Sequence, residues 1–107
     1  MSADAKGLLT AAIRDDDPVI VLESLALYNT KGEVPDGEHV AEIGRAAVPR
    51  PGRDITLIGY SRAAAIALDV AGRLDRDGIS SEVVDLRSLR PLTGRRSAPR
   101  SARPAAR

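Results

Sequence analysis

Residues 54–92, DITLIGYSRAAAIALDVAGRLDRDGISSEVVDLRSLRPL, decide the fold of this chain, because they alone form a complete strand-helix-strand pattern. Ile55–Gly59 is a short apolar run, as expected for a strand buried on both faces of a parallel sheet. Ser81–Leu86 has the same character, with two valines at its centre. Parallel strands joined by a crossover helix are typical of α/β folds, so we predict a βαβ unit here.

The helix between these strands is predicted to begin at Ser61, whose side-chain oxygen can cap free backbone N–H groups. Asp69 and Arg73 stand four residues apart and can form an ion pair, and Gly78 is placed to end the helix in the left-handed conformation. Five apolar residues recur at helical spacing and predict one stripe that packs on the sheet: Ala63, Ile66, Ala67, Val70 and Leu74.

The composition limits the classes of protein that fit. The 107 residues include two Tyr, no Phe and no Trp, so any core is aliphatic. The absence of Cys excludes disulfides and thiolate chemistry, and the single His39, which we expect in an exposed loop, excludes a multi-histidine metal centre. No apolar run approaches the roughly 18 residues of a membrane span, and a signal-peptide pattern is absent. We therefore expect a soluble, cytoplasmic protein with no membrane partner.

The N-terminal segment, Ser2–Arg14, is predicted to be a helix with an apolar face made of Ala5, Leu8, Leu9, Ala12 and Ile13. Three aspartates follow it, and then Pro18 stops the helix. The aspartate run has two interpretations. It can be a solvated acidic turn, which composition alone favours, or a cation site, since carbonyl and carboxylate oxygens are the ligands of hard cations.

The middle of the chain contains one more strand candidate and a linker candidate. Val19–Glu23, VIVLE, predicts a second buried strand. Residues 24–54 are rich in Gly and Pro, and their only strand pattern is a weak one at Ile43–Val48. A structureless run of this length is unusual within one compact domain, so we interpret it as a linker between domains.

Three sequence blocks, in this order, resemble the β subunit of the thiamine-dependent first component of pyruvate dehydrogenase and of related 2-oxo acid and acetoin dehydrogenases. They are DAKGLLTAAIRDDDPVIVLESLALYNTKGEVPDG, IGRAAVPRPGRDITLIGYSR and GISSEVVDLRSLRPL. The resemblance implies an α/β fold in which residues 1–26 end a pyrimidine-binding domain and residues 27–53 form the linker. Residues 54–92 would then open a three-layer domain of the transketolase C-terminal type, present here incompletely.

The resemblance also implies the chemistry of the complete enzyme. Such enzymes use thiamine diphosphate and magnesium to decarboxylate a 2-oxo acid, and they acylate the lipoyl group of the next component. Their β subunits assemble with α subunits as α2β2 tetramers, which bind a dihydrolipoyl acyltransferase core. The block LYNTKGEVPDG makes pyruvate the first choice of substrate, with branched-chain 2-oxo acids and acetoin as alternatives.

Catalytic residues are not expected in this chain. In similar β subunits the Glu and His that serve the cofactor lie upstream of the matching blocks. Glu23, Glu33 and His39 do not fall at the matching positions. We therefore predict no catalytic residue, no cofactor-binding residue and no activity for the isolated chain.

One site of the family does fall within the chain. Similar β subunits hold a structural potassium ion with oxygens of the segment that corresponds to residues 12–17. The resemblance therefore implies Ala12 (carbonyl), Asp15 and Asp17 as candidate potassium ligands, and it raises the cation interpretation above the solvated turn. The family commonly has Asn where Asp17 stands, so Asp17 adds charge to the site.

The C-terminal tail, residues 93–107, departs from the family. TGRRSAPRSARPAAR contains five Arg, no acid and no apolar period, a composition typical of disorder. We hypothesise a shifted reading frame in a GC-rich gene. Loss of one base would turn codons for Leu-Asp-Arg-Glu, such as CTC GAC CGG GAG, into CTG ACC GGG, which encodes the Leu-Thr-Gly found at Leu92–Gly94.

Two other functions compete with the enzyme fragment. The basic tail could make the chain a small nucleic-acid-binding module. That interpretation is disfavoured because the tail has no aromatic residue for stacking and the rest of the chain is acidic. A scaffold that docks on an intact α/β assembly is the remaining alternative.

Overall fold

The computed structural model describes residues 2–92 of the chain, and the predicted disordered tail therefore lies outside the described residues. The described chain divides between Ile43 and Gly44 into two units. The first unit contains helix α1 (Ser2–Arg14) and a 3-10 turn (Leu25–Leu27). The second contains β1 (Ala47–Arg50), β2 (Ile55–Gly59), α2 (Arg62–Arg76) and β3 (Ser81–Asp85).

The second unit is built on a three-stranded mixed sheet with the strand order β1-β3-β2. β2 and β3 are parallel, with Ile55 opposite Ser81 and Gly59 opposite Asp85. α2 connects the two strands and packs against both of them. The predicted βαβ unit is confirmed, and with it the α/β fold class.

Strand β1 lies within the segment that we predicted to be a linker, residues 27–53. It pairs antiparallel with β3, and the register shifts between Ala47 and Arg50. The shift and the edge position explain how this strand accommodates Pro49, which cannot donate a ladder hydrogen bond. Because β1 is part of the sheet, the second unit begins at Gly44 rather than at Asp54.

The core of the second unit lies between α2 and the central strand β3. Val83 and Val84 are completely buried, as are Ala64 and Ala71 on the helix. The predicted stripe on α2 is wrong in its orientation, since Ile66 keeps 53% of its surface exposed. Alanines occur all round the helix, so the apolar period alone could not show which side contacts the sheet, and the smallest side chains allow the closest approach.

The predicted local features of α2 have two outcomes. Asp69 and Arg73 form an ion pair at 3.1 Å, and Gly78 adopts a φ of 77° just after the helix, so both predictions are confirmed. The predicted cap is wrong, because the Ser61 side chain makes no hydrogen bond to the start of the helix.

Helix α1 has the predicted bounds, but the apolar face predicted for it is mostly exposed. Ile13 is 76% exposed, and Gly7 is the buried residue of the helix. The backbone N–H of Ala41 donates to the Gly7 carbonyl at 3.1 Å, and a Cβ at Gly7 would lie 2.9 Å from the Ala41 Cβ. The loop around Ala41 therefore packs on α1 at the one position that has no side chain.

The strand predicted at Val19–Glu23 is wrong. The segment is irregular, with Ile20 exposed to 86% and Leu22 to 76%. A strand requires a backbone partner, and within the described part of the first unit there is no strand with which it could pair.

Among residues 2–92 there is also no helix long and apolar enough to cross a membrane.

Candidate functional site

Two places in the structure bring polar groups together. One is the edge of the sheet where the parallel strands β2 and β3 end, which is where ligands bind in open α/β sheets. The other is the end of α1, where the resemblance implies a potassium ion. The sheet edge belongs to the second unit and the end of α1 to the first.

At the sheet edge, the chain turns directly from β2 into α2 through Ser61. Ser61 has φ 51° and ψ −126°, which is an uncommon conformation for a residue with a side chain. A Cβ at Gly59 would lie 3.0 Å from the carbonyl carbon of Ala63, so a side chain at that position would crowd the start of the helix. The result is an exposed serine hydroxyl at a strand-to-helix turn.

This turn resembles the one that presents the nucleophile in serine hydrolases. A hydroxyl nucleophile requires a base to take its proton, and the described part of the second unit contains no histidine. The Ser61 geometry therefore carries no hydrolase assignment.

The polar residues at the end of β3 and just after it form hydrogen bonds that fix the loop in place. Arg87 has φ 57°, its backbone N–H donates to Oδ1 of the buried Asp85 at 3.1 Å, and its Nε and Nη2 donate to the Arg45 carbonyl at 3.0 and 2.7 Å. The Ser88 hydroxyl accepts the Gly44 N–H at 2.9 Å. These side chains fasten the end of β3 to the residues that lead into β1. Sequence reasoning missed this arrangement, although the polar residues Asp85, Arg87 and Ser88 at the end of the buried strand were the available signal.

At the end of α1, the three predicted potassium ligands lie close together. The Asp15 N–H donates to the Ala12 carbonyl at 3.3 Å, and the Asp17 N–H donates to Oδ1 of Asp15 at 2.9 Å. The carbonyl and carboxylate oxygens can each accept more than one bond, so these contacts leave coordination capacity. Both aspartates are exposed.

The charge of the aspartate run is not compensated by side chains within residues 2–92. The neighbouring cation Arg14 pairs with Glu38 instead. Asp15, Asp16 and Asp17 take part in no ion pair among the described residues. Carbonyl and carboxylate oxygens are the kind of ligand that hard cations prefer, but within residues 2–92 these aspartates do not form a group that could hold a metal ion, so Ala12, Asp15 and Asp17 stay predicted ligands.

The other acidic and histidine residues considered as candidates, Glu23, Glu33 and His39, are not part of the aspartate run. Glu23 accepts a hydrogen bond from the Tyr28 hydroxyl, and Glu33 is exposed. The hydrogen bond and the charge of Glu23 raise the pKa of Tyr28 above its ordinary value of 10.0. His39 lies in a loop as predicted but is half-buried near Gly7 rather than exposed.

Within residues 2–92 there is no group of three or more His, Cys, Asp or Glu side chains that could hold a metal ion. No step of the family's reaction is therefore assigned to the described residues.

Comparison with known proteins identifies the class. Residues 44–103 match the family "Transketolase, C-terminal domain", and this match begins where the second unit begins. The chain therefore belongs to the transketolase C-terminal domain family.

Within that class, most of the chain matches β subunits of 2-oxo acid and acetoin-oxidising enzymes in one stretch. It is 53% identical over 90 residues to "2-oxoisovalerate dehydrogenase subunit beta" and 50% identical over 90 residues to "Pyruvate dehydrogenase E1 component subunit beta", both from Bacillus subtilis (strain 168). Over 89 residues it is 46% identical to "Acetoin:2,6-dichlorophenolindophenol oxidoreductase subunit beta" of Cupriavidus necator. The resemblance predicted from the sequence is confirmed.

The match is asymmetric in length. Each of the three comparisons covers 83% of this chain, but the chain spans 28% of the two Bacillus proteins and 26% of the Cupriavidus protein. The chain thus corresponds to about a quarter of each relative.

Proposed function

We propose that this chain is a segment of the β subunit of a pyruvate dehydrogenase first component, which decarboxylates a 2-oxo acid and acylates the lipoyl group of the next component. The observation that carries the proposal is the 50% identity to a pyruvate dehydrogenase β subunit over most of the chain. Identity to the 2-oxoisovalerate relative is similar, at 53%, so overall identity does not select the substrate. Pyruvate is preferred because of the block at Leu27–Gly37, LYNTKGEVPDG. Branched-chain 2-oxo acids and acetoin are the alternatives.

The chemistry of that reaction belongs to thiamine diphosphate, which stabilises the carbanion formed on loss of carbon dioxide. The described residues offer no magnesium cluster, so in the proposed assembly the cofactor and its metal are held by residues other than these. Residues 1–26 would end the pyrimidine-binding domain, and the βαβ unit would open the C-terminal domain. The isolated chain is accordingly proposed to be inactive.

Potassium is proposed at the end of α1, with the Ala12 carbonyl, Asp15 and Asp17 as ligands. The site would order the turn that leads out of the helix, because a cation there neutralises the carboxylates and the negative end of the helix dipole. Its role would be structural, since no catalytic or cofactor-binding residue is predicted in this chain.

The proposed partners are an α subunit and a second β subunit in an α2β2 tetramer, together with a dihydrolipoyl acyltransferase core. Several large apolar side chains are exposed, among them Ile13, Ile20, Leu22 and Leu25. Their exposure supports the proposal that other protein covers this part of the chain. Scaffolding on an intact assembly is the second function that this exposure favours. A cytoplasmic location stays a prediction.

A chimera tests the proposed function. Residues 3–92 of this chain replace the matching segment of the Bacillus subtilis pyruvate dehydrogenase β subunit, and the product is combined with the α subunit. We expect pyruvate decarboxylation comparable to that of the parent. The control is the parent β subunit without the segment, which we expect to be inactive. A chimera that folds and assembles but does not decarboxylate would refute the proposal.

The same graft into the 2-oxoisovalerate β subunit tests the choice of substrate. The proposal places the substrate pocket outside this segment, so each chimera should keep the substrate preference of its host. A shift of the 2-oxoisovalerate host towards pyruvate would show that the segment itself selects the substrate.

The shifted reading frame is tested by the DNA. The family match extends to residue 103, which lies within the tail. The hypothesis requires that the alternative frame after codon 92 encode Asp and then a helix of the family type. An alternative frame without that pattern would exclude it.

A further inference from the structure

Strand β1 is paired only weakly by its own ladder. It has four residues, AVPR, and Pro49 has no N–H to donate to β3. Its register against β3 also shifts between Ala47 and Arg50. The Arg50 guanidinium reaches Asp75 of α2 at 3.5 Å, but the Asp75 side chain is 67% exposed, and ion pairs exposed in this way contribute little. Strand pairing alone therefore gives β1 little support.

The residues just before β1 are held by side chains from the loop after β3. Arg87 donates two hydrogen bonds, from Nε and Nη2, to the single carbonyl of Arg45, and the Gly44 N–H donates to the Ser88 hydroxyl. Hydrogen bonds from a charged donor are stronger than those between neutral groups. We call Gly44, Arg45, Arg87 and Ser88 the latch. It joins the chain that enters β1 to the chain that leaves β3.

The backbone on both sides of the latch has a conformation that favours glycine. Arg87 has φ 57°, and its N–H is bonded to Oδ1 of the buried Asp85 at 3.1 Å. Gly44 has φ 89°, and a Cβ there would lie 2.8 Å from Cγ of Pro91. A residue with a side chain keeps such a φ only where its surroundings hold it. For Arg87 these surroundings include the carbonyl to which its side chain is bonded.

The chain after β1 is anchored separately from the latch. A Cβ at Gly52 would lie 2.1 Å from the backbone of Ser81. The Asp54 N–H donates to the Ser80 carbonyl at 2.8 Å, and the Asp54 carboxylate accepts the Ser80 N–H at 2.7 Å. Opening of the latch would therefore release residues 44–50 and leave the pairing of β2 with β3 in place.

We propose that the latch holds β1 on the sheet, and that β1 is a detachable strand whose release lengthens the connection between the two units. With the latch closed, the connection ends before Gly44, where the second unit begins. With the latch open, residues 44–50 are added to it. Each bond of the latch joins two described residues, so no further strand is needed to close it. This inference goes beyond the proposed function, since it requires neither a cofactor nor another subunit.

Hydrogen exchange of the full 107-residue chain, followed residue by residue, tests the latch. Arg87→Gly removes the side chain but suits φ 57°, so this variant should keep its fold. We expect the protected amides of β1 to exchange about tenfold faster or more, while those that join β2 to β3 keep their rates. Arg76→Gln is the control, because it removes the same charge from an exposed arginine that forms no ion pair among the described residues.

The sign of the change separates the latch from backbone strain. If only the φ of Arg87 mattered, glycine would slow the exchange of β1, because it adopts that conformation at no steric cost. Ser88→Ala should speed the exchange of β1 as Arg87→Gly does, since it removes the acceptor of the Gly44 N–H. Unchanged or slower exchange of β1 in Arg87→Gly, or an equal rise in Arg76→Gln, would overturn the proposal.

Trypsin measures the length of the connection independently. The bond after Arg45 is the one that trypsin can cut between Lys31 and Arg53, because a proline follows Arg50. Ala46, on the other side of that bond, is buried while the latch is closed. In Arg87→Gly we expect cleavage after Arg45 to become about tenfold faster relative to cleavage after Lys31, which lies in the first unit. The same ratio in this variant and in the unmodified chain would contradict a detachable β1.

Discussion

Among the described glycines, Gly52 is the one where an added Cβ would meet its neighbours at the shortest distance, 2.1 Å. A Cβ at this position would overlap the peptide between Ser81 and Glu82, which is backbone of the central strand and cannot move aside. Gly72 is the opposite case, since a Cβ there would meet nothing within 4 Å. The two glycines therefore form a natural pair for testing the packing of the second unit.

Alanine substitution at these two glycines should have effects of opposite sign. Gly72→Ala should raise the free energy of unfolding by about 0.5–1 kcal/mol, because glycine is a poor residue inside a helix. Gly52→Ala should lower it by roughly 1–3 kcal/mol or more, as overpacking does. Urea denaturation of both variants measures the difference. Equal effects would show that the approach of Gly52 to β3 is absent.

Tyr28 provides a test of the first unit through its ionisation. Its hydroxyl donates to Glu23, and loss of the proton would break that bond beside a carboxylate, so the pKa of Tyr28 is raised above 10.0. Because the pKa is raised in the folded state, the contact contributes stability below pH 10 and loses it as the pH rises through the raised pKa.

Tyrosinate absorbance should report this shift. In a Tyr60→Phe background only Tyr28 titrates, and its midpoint should exceed that of the same chain with Glu23→Gln. A midpoint that Glu23→Gln leaves unchanged would mean that the hydrogen bond is not formed in solution.

At the scale of elements, the sequence predicts what each segment forms but not what it contacts. The bounds of α1 and β2, and the helix between β2 and β3, follow from local periodicity and from Gly78, and these predictions are confirmed. The side of α2 that packs on the sheet depends on distant residues. The alanines all round the helix left that side undetermined.

The end of α1 is the element on which the potassium proposal depends. Asp15→Ala should reduce any stabilisation of the chain by potassium, since it removes a proposed ligand. Asp16→Ala is the matched control, because it removes the same charge from a neighbour that is not a proposed ligand. Melting temperatures in potassium and in a bulky organic cation measure the effect.

Two results would count against that site. One is a melting temperature of the unmodified chain that is the same in both salts. The other is an equal loss in the two variants, which would show general screening of negative charge instead of coordination.

At the scale of the whole molecule, the outcomes of the strand predictions share one cause. Val19–Glu23 has the composition of a buried strand, yet it has no strand partner among the described residues and lies exposed. β1, in contrast, has a weak pattern and contains a proline, but forms because β3 offers it an edge. Strands depend on partners that local sequence does not show. For the aspartate run, the residues alone left a solvated turn and a cation site open, and only the family resemblance raised the cation interpretation above the other.

The same dependence on partners underlies the proposed inactivity of the chain. It corresponds to 28% of a pyruvate dehydrogenase β subunit, and its described residues contain no cluster for the cofactor's metal.

The most direct measurement is decarboxylation of pyruvate by the purified 107-residue chain, supplied with thiamine diphosphate, magnesium and potassium but with no other subunit. We predict a rate equal to that of the cofactor alone in the same buffer. Sustained turnover above that rate by the chain alone would contradict the account.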